Sequence, residues 1–260
     1  MRRRVAEPEA GRDGRSAGRG RRILLLLSGI ALFAGFIALG NWQIDRRAEK
    51  LQRISEVNAR VDAPAVPAPG PSAWNRVGTG RERYRHVRVT GRFLHADETL
   101  VHGTSRRGYG YWVMTPLRTA RGFIVLVNRG HVPESAPDSA RLRGMMRPQG
   151  TVTVTGLLRR SRPGGGVLRS NDPAAGQWYS RDVAALAAAA GLPADRVAPY
   201  FIDADARSDQ DEWPVAGLTV IRFPNHHLIY ALTWYAMAFG VVLAGAFLWW
   251  SEQRRPRPDA

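Results

Sequence analysis

The 260-residue chain contains no cysteine. That absence excludes a disulfide framework, thiolate-bound zinc, iron–sulfur clusters, thiol catalysis and covalent c-type haem. Lysine is almost absent: of 38 Lys+Arg only Lys50 is lysine. Such a skew fits codon bias in a GC-rich bacterial genome better than a chemical demand at every arginine. Acids are outnumbered, with 22 Asp+Glu, so the formal net charge is +16. The sequence has no G-x-S-x-G, no H-E-x-x-H, no Walker loop and no G-x-G-x-x-G opening a helix after a strand. Gly164-Gly165-Gly166 is followed by no helix with Lys-Ser/Thr and reads as a turn. Asp203, Asp205, Asp209, Asp211 and Glu212 lack EF-hand spacing and its glycine, and read as a solvated loop.

Two long uncharged runs are present, Ile23–Leu39 and Leu228–Trp250. As helices they reach about 26 Å and 34 Å, against a hydrocarbon core of about 30 Å. Trp42, Tyr230, Trp234, Trp249 and Trp250 sit near their ends, where interfacial aromatics belong. The first apolar run is longer than a signal-peptide core and no clear A-x-A site follows it, so it reads as a retained span. Glu7, Glu9 and Asp13 disfavour a mitochondrial presequence, a class that avoids acids. Residues 1–22 carry eight Arg against three acids, whereas the outer flank has Arg46, Arg47, Lys50 and Arg53. The larger basic excess puts both termini in the cytoplasm and the intervening segment in the periplasm of a Gram-negative inner membrane. The expected divisions are a cytoplasmic tail at 1–22, spans at 23–42 and 228–250, a domain at 43–227 and a second tail at 251–260.

Between the spans the pattern is β-rich. Val87, Val89, Gly91 and Phe93 alternate with polar residues, as do Val152, Val154 and Leu158, giving the period of two of half-buried strands. Trp112–Leu117, a polar turn ending at Gly122, and Phe123–Val127 form a hairpin pattern. Its second arm is apolar on both faces and reads as a central strand. One helix is expected over Arg181–Ala190, with Ser180 as N-cap and Gly191 just past the end. Residues 63–73, with Pro64, Pro67, Pro69 and Pro71, read as an extended linker. The expected fold is thus an α+β membrane protein. Two transmembrane helices flank one antiparallel β-rich domain with about one helix.

An outward-facing domain does not meet chromosomal DNA, so nucleic acid is not an expected partner. An anionic membrane surface, an acidic protein or a carboxylate-bearing cofactor suits the basic character better. Of the six histidines, His86, His95 and His102 lie on strand or loop positions with no common spacing, and surface or structural roles are their default. His227 differs, because it opens the second span. On a helix His227, Ala231, Trp234, Ala238 and Val241 share one stripe, with Tyr230 on its shoulder. That stripe allows ligation of a flat apolar macrocycle, but spacing alone favours an interfacial histidine bonded to a headgroup or to Asn225. Trp42 and Gln43 leave the first span on the same side as His227. Ala236, Gly240 and Ala244, with Ala31 and Gly35, form small-residue ridges suited to close helix packing, with each other or with another membrane protein.

Four motifs carry a resemblance. Leu39-Gly40-x-Trp42-Gln43-x-x-Arg46-x-x-x-Lys50 resembles the signature after the first span of the surfeit locus protein 1 family. Tyr109-Gly110-Tyr111-Trp112-Val113-x-Thr115-Pro116-Leu117 and Val127-Asn128-Arg129-Gly130-x-Val132-Pro133 resemble its central hairpin. Asn225-x-His227-Leu228-x-Tyr230-Ala231-Leu232-Thr233-Trp234 resembles its second-span signature. The resemblance implies an assembly factor for haem–copper cytochrome c oxidase that binds haem A and helps place it in the catalytic subunit, with haem A synthase as a further partner. It also implies His227 as the iron ligand. By position, and not by the resemblance, Tyr230 and Trp234 would line the macrocycle, Trp42 and Gln43 would meet His227 around the same cofactor site, and Arg46 or Arg222 would pair with propionates. No catalytic residue is implied. His131 stands where the family commonly has Trp, and His226 where a second Asn is common, so His226 competes with His227 as ligand. Two other readings stay open. One is a structural assembly factor that grips oxidase subunits through the ridges and the Asn128-Arg129-Gly130 hairpin. The other is an envelope enzyme, for which the sequence shows no clustered acid/base pair.

Overall fold

A computed structural model describes residues 13–77, 82–136, 147–166, 169–206, 213–219 and 223–254. The chain divides into two compact units, Met1–Ile54 with Phe223–Ala260, and Ser55–Arg222.

The first unit pairs the greater part of α1 (Asp13–Val61), whose last residues from Ser55 count with the second unit, with a helix at the other end of the chain, His227–Gln253. Both are long and apolar enough to cross a membrane. Helical structure in α1 runs well past Trp42. Arg46 and Arg53 pair with Glu49 at 2.8 and 4.0 Å, and Arg60 with Glu56 at 3.5 Å. Such i,i+3 and i,i+4 pairs support an exposed helix, and Pro64 is the first proline to stop it.

The second unit is a closed barrel. Its strands are β1 (Val66–Pro67), β2 (His86–Phe93), β3 (Thr99–Ser105), β4 (Gly108–Thr119), β5 (Ile124–Pro133), β6 (Val152–Arg160) and β7 (Val197–Ala204). The order β1-β2-β6-β7-β5-β4-β3 closes on itself because β2 also pairs with β4. Gly91 belongs to both ladders of β2, opposite Val152 on β6 and Thr119 on β4. A side chain there would strike the Arg118 carbonyl, so only glycine permits the closure. Most pairings are antiparallel, as the alternation suggests, but the sheet is mixed. β7 inserts between β6 and β5 and runs parallel to β5, and β1 runs parallel to β2. Residues 63–73 do not hang free of the barrel: Val66 and Pro67 form β1, and Ala68 is buried.

Besides a one-turn helix α2 (Trp74–Val77), the barrel carries α3 (Val183–Ala189). Capping differs from the sequence expectation. Asp182, not Ser180, caps α3, accepting from the Ala185 N–H at 3.3 Å, while Gly191 follows in the left-handed conformation at φ 63°. The Ser180 hydroxyl is already engaged, accepting from Gly165 N–H at 3.0 Å and Asn171 Nδ2 at 2.9 Å. Val125 and Val127 of β5 join Val87, Leu117, Leu158 and Tyr200 in one core, whereas Ile124 and Leu126 join Leu186, Ala187 and Phe201 beneath α3. β5 is therefore buried on both faces, which explains its unbroken apolar run.

A buried ion cluster ties β5, β6 and β7 together. Asp203 is 2% exposed. It accepts from Asn128 Nδ2 at 2.7 Å and Thr219 Oγ1 at 2.9 Å, and pairs with Arg159 and Arg181. The expectation that Asp203 lies in a solvated loop is thus wrong, because it occupies a paired position on β7. Asp205 is also engaged, by His86. Asp209, Asp211 and Glu212 lie outside the described residues.

Candidate functional site

The second long helix, here α4 (His227–Gln253), runs antiparallel to α1. Their contacts follow one another down the pair: Gln43 with His227, Asn41 and Gly40 with Tyr235, Phe36 with Trp234, and Arg22 with Glu252. On α1, Phe36, Gly40 and Gln43 share one stripe; on α4, His227, Ala231, Trp234 and Ala238 share the other. Ala231 and Ala238 are each 1% exposed, so the α4 stripe headed by His227 is the seam that faces α1. The small-residue ridges are not in this seam. Ala31, Gly35, Ala236, Gly240 and Ala244 are all exposed, and a side chain at Gly35 or Gly240 would meet nothing.

At one end of the seam lies the half-buried imidazole of His227. Its Nδ1 is 2.8 Å from Gln43 Oε1, so the expected convergence of the two helix ends is present as a direct hydrogen bond. Asn225 does not take that place, and its buried Oδ1 has no hydrogen-bond partner among the described residues. His226 is exposed at the N-cap position and makes no side-chain capping bond. Trp42 and Tyr230 are exposed at 50% and 56%, whereas Trp234 stacks on Phe36 at 5.9 Å. Arg46 bonds Glu49 and lies over the Trp42 ring at 5.7 Å. Arg222 lies outside the described residues. Sequence reasoning missed Phe36, Asn41 and Tyr235. The signal that finds them is the i, i+4, i+7 stripe of Phe36, Gly40 and Gln43, read against its antiparallel counterpart.

The other histidines are structural. His102 stacks on Tyr179 at 4.9 Å and bonds the Tyr109 hydroxyl at 2.9 Å. His95 donates from Nε2 to the Pro148 carbonyl at 3.0 Å. His131 is fully buried between the Ser105 hydroxyl and the Gly103 carbonyl, and burial pushes its pKa down despite the bond to Gly103. For His86, burial pulls downward, but the Asp205 carboxylate at 2.6 Å and the Ala63 carbonyl at 2.9 Å outweigh it and raise the pKa. The two groups act on opposite sides of the ordinary histidine value of 6.5. Below it the unfolded chain binds a proton that native His131 refuses, so stability falls as pH drops. The His86 contribution is full below that value and is lost as pH rises through its raised pKa. Thermal unfolding of the purified protein between about pH 5 and 8.5 should show both arms. His86→Asn is expected to flatten the alkaline arm and leave the acid one; an unchanged alkaline arm would refute the Asp205 pairing.

Among the described residues no group of three or more His, Asp or Glu side chains is placed to hold a metal ion. In chain order a closed barrel domain falls between two membrane-length helices, and the seam of the helix pair ends in a histidine–glutamine pair. A family model described as the SURF1 family matches residues 30–239, and the chain belongs to that family. It is 33% identical to surfeit locus protein 1 of Mus musculus over 238 residues, covering 85% of this chain and 72% of that protein. The Homo sapiens surfeit locus protein 1 is 32% identical over 254 residues, covering 90% and 78%. A SURF1-like protein of Monosiga brevicollis is 34% identical over 225 residues, covering 81% and 82%.

Proposed function

We propose that this chain is an assembly factor for haem–copper cytochrome c oxidase that binds haem A through His227 and passes it to the catalytic subunit. Family membership supports the assembly role. The observation that carries the haem reading is the half-buried His227 imidazole, which has one ring nitrogen engaged by Gln43 and the other without a hydrogen bond among the described residues. An imidazole held at one nitrogen and open at the other fits an axial haem ligand. When bound, haem A would supply the redox-active iron destined for the oxidase. Exposed Trp42 and Tyr230 would cover the ring, Arg46 would turn from Glu49 toward a propionate, and Trp234 would act indirectly by closing the seam.

The basic excess of residues 1–22 supports an orientation with both termini in the cytoplasm and the barrel in the periplasm of a bacterial inner membrane. Haem A synthase and lipid are the further contacts this location implies. The role is that of a carrier rather than an enzyme.

The test is a pyridine haemochrome spectrum of detergent-purified protein co-expressed with haem A synthesis. Wild type is expected to carry haem A, His226→Ala to keep it and His227→Ala to lose at least about nine-tenths, since even losing a group that only orients a metal ligand costs about tenfold or more. Haem retained in His227→Ala and lost in His226→Ala would move the ligand by one residue. Haem-free but folded wild type that still captures oxidase subunits would replace the carrier with a structural assembly factor.

A further inference from the structure

We infer that Gln43 is a positioning residue that selects which nitrogen of His227 is presented as a ligand. The part of this concerning haem rests on the function proposed above. A neutral imidazole carries one proton on one of two nitrogens, and the hydrogen bond made by one nitrogen decides the state of the other. Gln43 Oε1 lies 2.8 Å from Nδ1. An amide oxygen only accepts, so the proton is on Nδ1 and the lone pair on Nε2. Nδ1 is occupied, and Nε2 is the nitrogen left to bind a metal.

The selecting group comes from the other helix. Its position depends on register, which three neighbouring contacts fix. Phe36 stacks on Trp234 at 5.9 Å with 27° between the rings. The Gly40 backbone lies against the Tyr235 ring, which leaves no space for a side chain. The Tyr235 hydroxyl donates to Asn41 Oδ1 at 2.8 Å. A slip of one residue turns a helix face by about 100° and carries Gln43 away from His227. α1 thereby enters the ligand site through the imidazole itself, in addition to the ring and propionate contacts proposed for Trp42 and Arg46.

The experiment uses haem-free, detergent-purified full chain labelled with nitrogen-15 histidine, read by NMR at about pH 8, where an ordinary imidazole is neutral. The His227 signals are assigned by their loss in His227→Ala. Wild type is expected to show Nδ1–H with bare Nε2. Gln43→Leu is expected to give mixed tautomers and to bind haem A about 10–100-fold more weakly. Gln43→Glu, which keeps an accepting oxygen, is expected to restore the wild-type tautomer and so to separate positioning from misfolding. An unchanged tautomer in Gln43→Leu overturns the inference, as does a changed tautomer with unchanged haem A affinity. If the tautomers behave as expected but no variant binds haem A, the positioning role stands and the haem function falls.

Discussion

Asp203→Asn is expected to destabilise the barrel by about 3–5 kcal/mol, the usual consequence of stripping one partner from a buried ion pair. Asparagine is nearly isosteric, so no cavity forms and the loss is electrostatic. Asp203 faces two guanidiniums, those of Arg159 and Arg181, whose side chains are 9% and 14% exposed. Burial already pushes the Arg181 pKa down, and the Asp203 carboxylate opposes that push while Arg159 and Arg162 add to it. Without the carboxylate, two nearly buried cations share one site against the aromatic faces of Tyr84, Trp112 and Phe201, beside the former Asp203 partners Asn128 and Thr219. For a domain of this size the loss should appear as a fall in the unfolding midpoint of about 6–20 °C. Adding Arg181→Met should recover part of it by removing one of the stranded charges. A midpoint within about 2 °C of wild type, less than 1 kcal/mol, would show that the cluster is better solvated than its geometry implies.

That cluster also marks where sequence reading stopped. Strands were legible wherever one face meets water, as at Val87–Phe93, because alternation records the two environments directly. β5 was legible for the opposite reason: an unbroken apolar run needs burial on both faces, and α3 supplies the second cover. The closure at Gly91 and the parallel docking of β7 were not, because each depends on a partner distant in sequence. Buried charge was read as solvated charge at Asp203, since nothing local tells a paired carboxylate from a free one. Asn128 and Arg129 show the same effect. The reading that used them to grip oxidase subunits meets two side chains 3% and 6% exposed, bonded to Asp203 and Glu98. In the helix pair, several faces carry small residues, and only packing reveals that Gly40, Ala231 and Ala238 form the seam while Gly35 and Gly240 do not. The meeting of Gln43 with His227 was legible because both lie at one end of antiparallel spans. The haem role proposed for His227 was suggested only weakly by the helix stripe, and the family resemblance supplied the rest.

Gly40→Val is expected to uncouple the candidate site while leaving the barrel folded. Gly40 sits inside α1, where replacing glycine ordinarily favours a helix by up to about 1 kcal/mol. Any loss must therefore come from contact rather than from backbone. That contact is severe: the first side-chain carbon would press into the Tyr235 ring, within 2.8 Å of Cδ1 and Cζ and closer still to Cε1. The ring cannot retreat without breaking its hydroxyl bond to Asn41, so the helices must separate or slip. Gln43 lies one turn further along α1, and either movement takes its amide away from His227. Haem A load is expected to fall at least about tenfold, as for loss of a group that orients a ligand. The unfolding midpoint of the barrel is expected to stay at the wild-type value, because Gly40 lies outside its cores. Tyr235→Ala in the same chain removes the obstructing ring and should raise the load above that of Gly40→Val alone. Wild-type load in Gly40→Val would mean that haem binding does not depend on the register of the helix pair, and would leave the His227–Gln43 bond without a part in it.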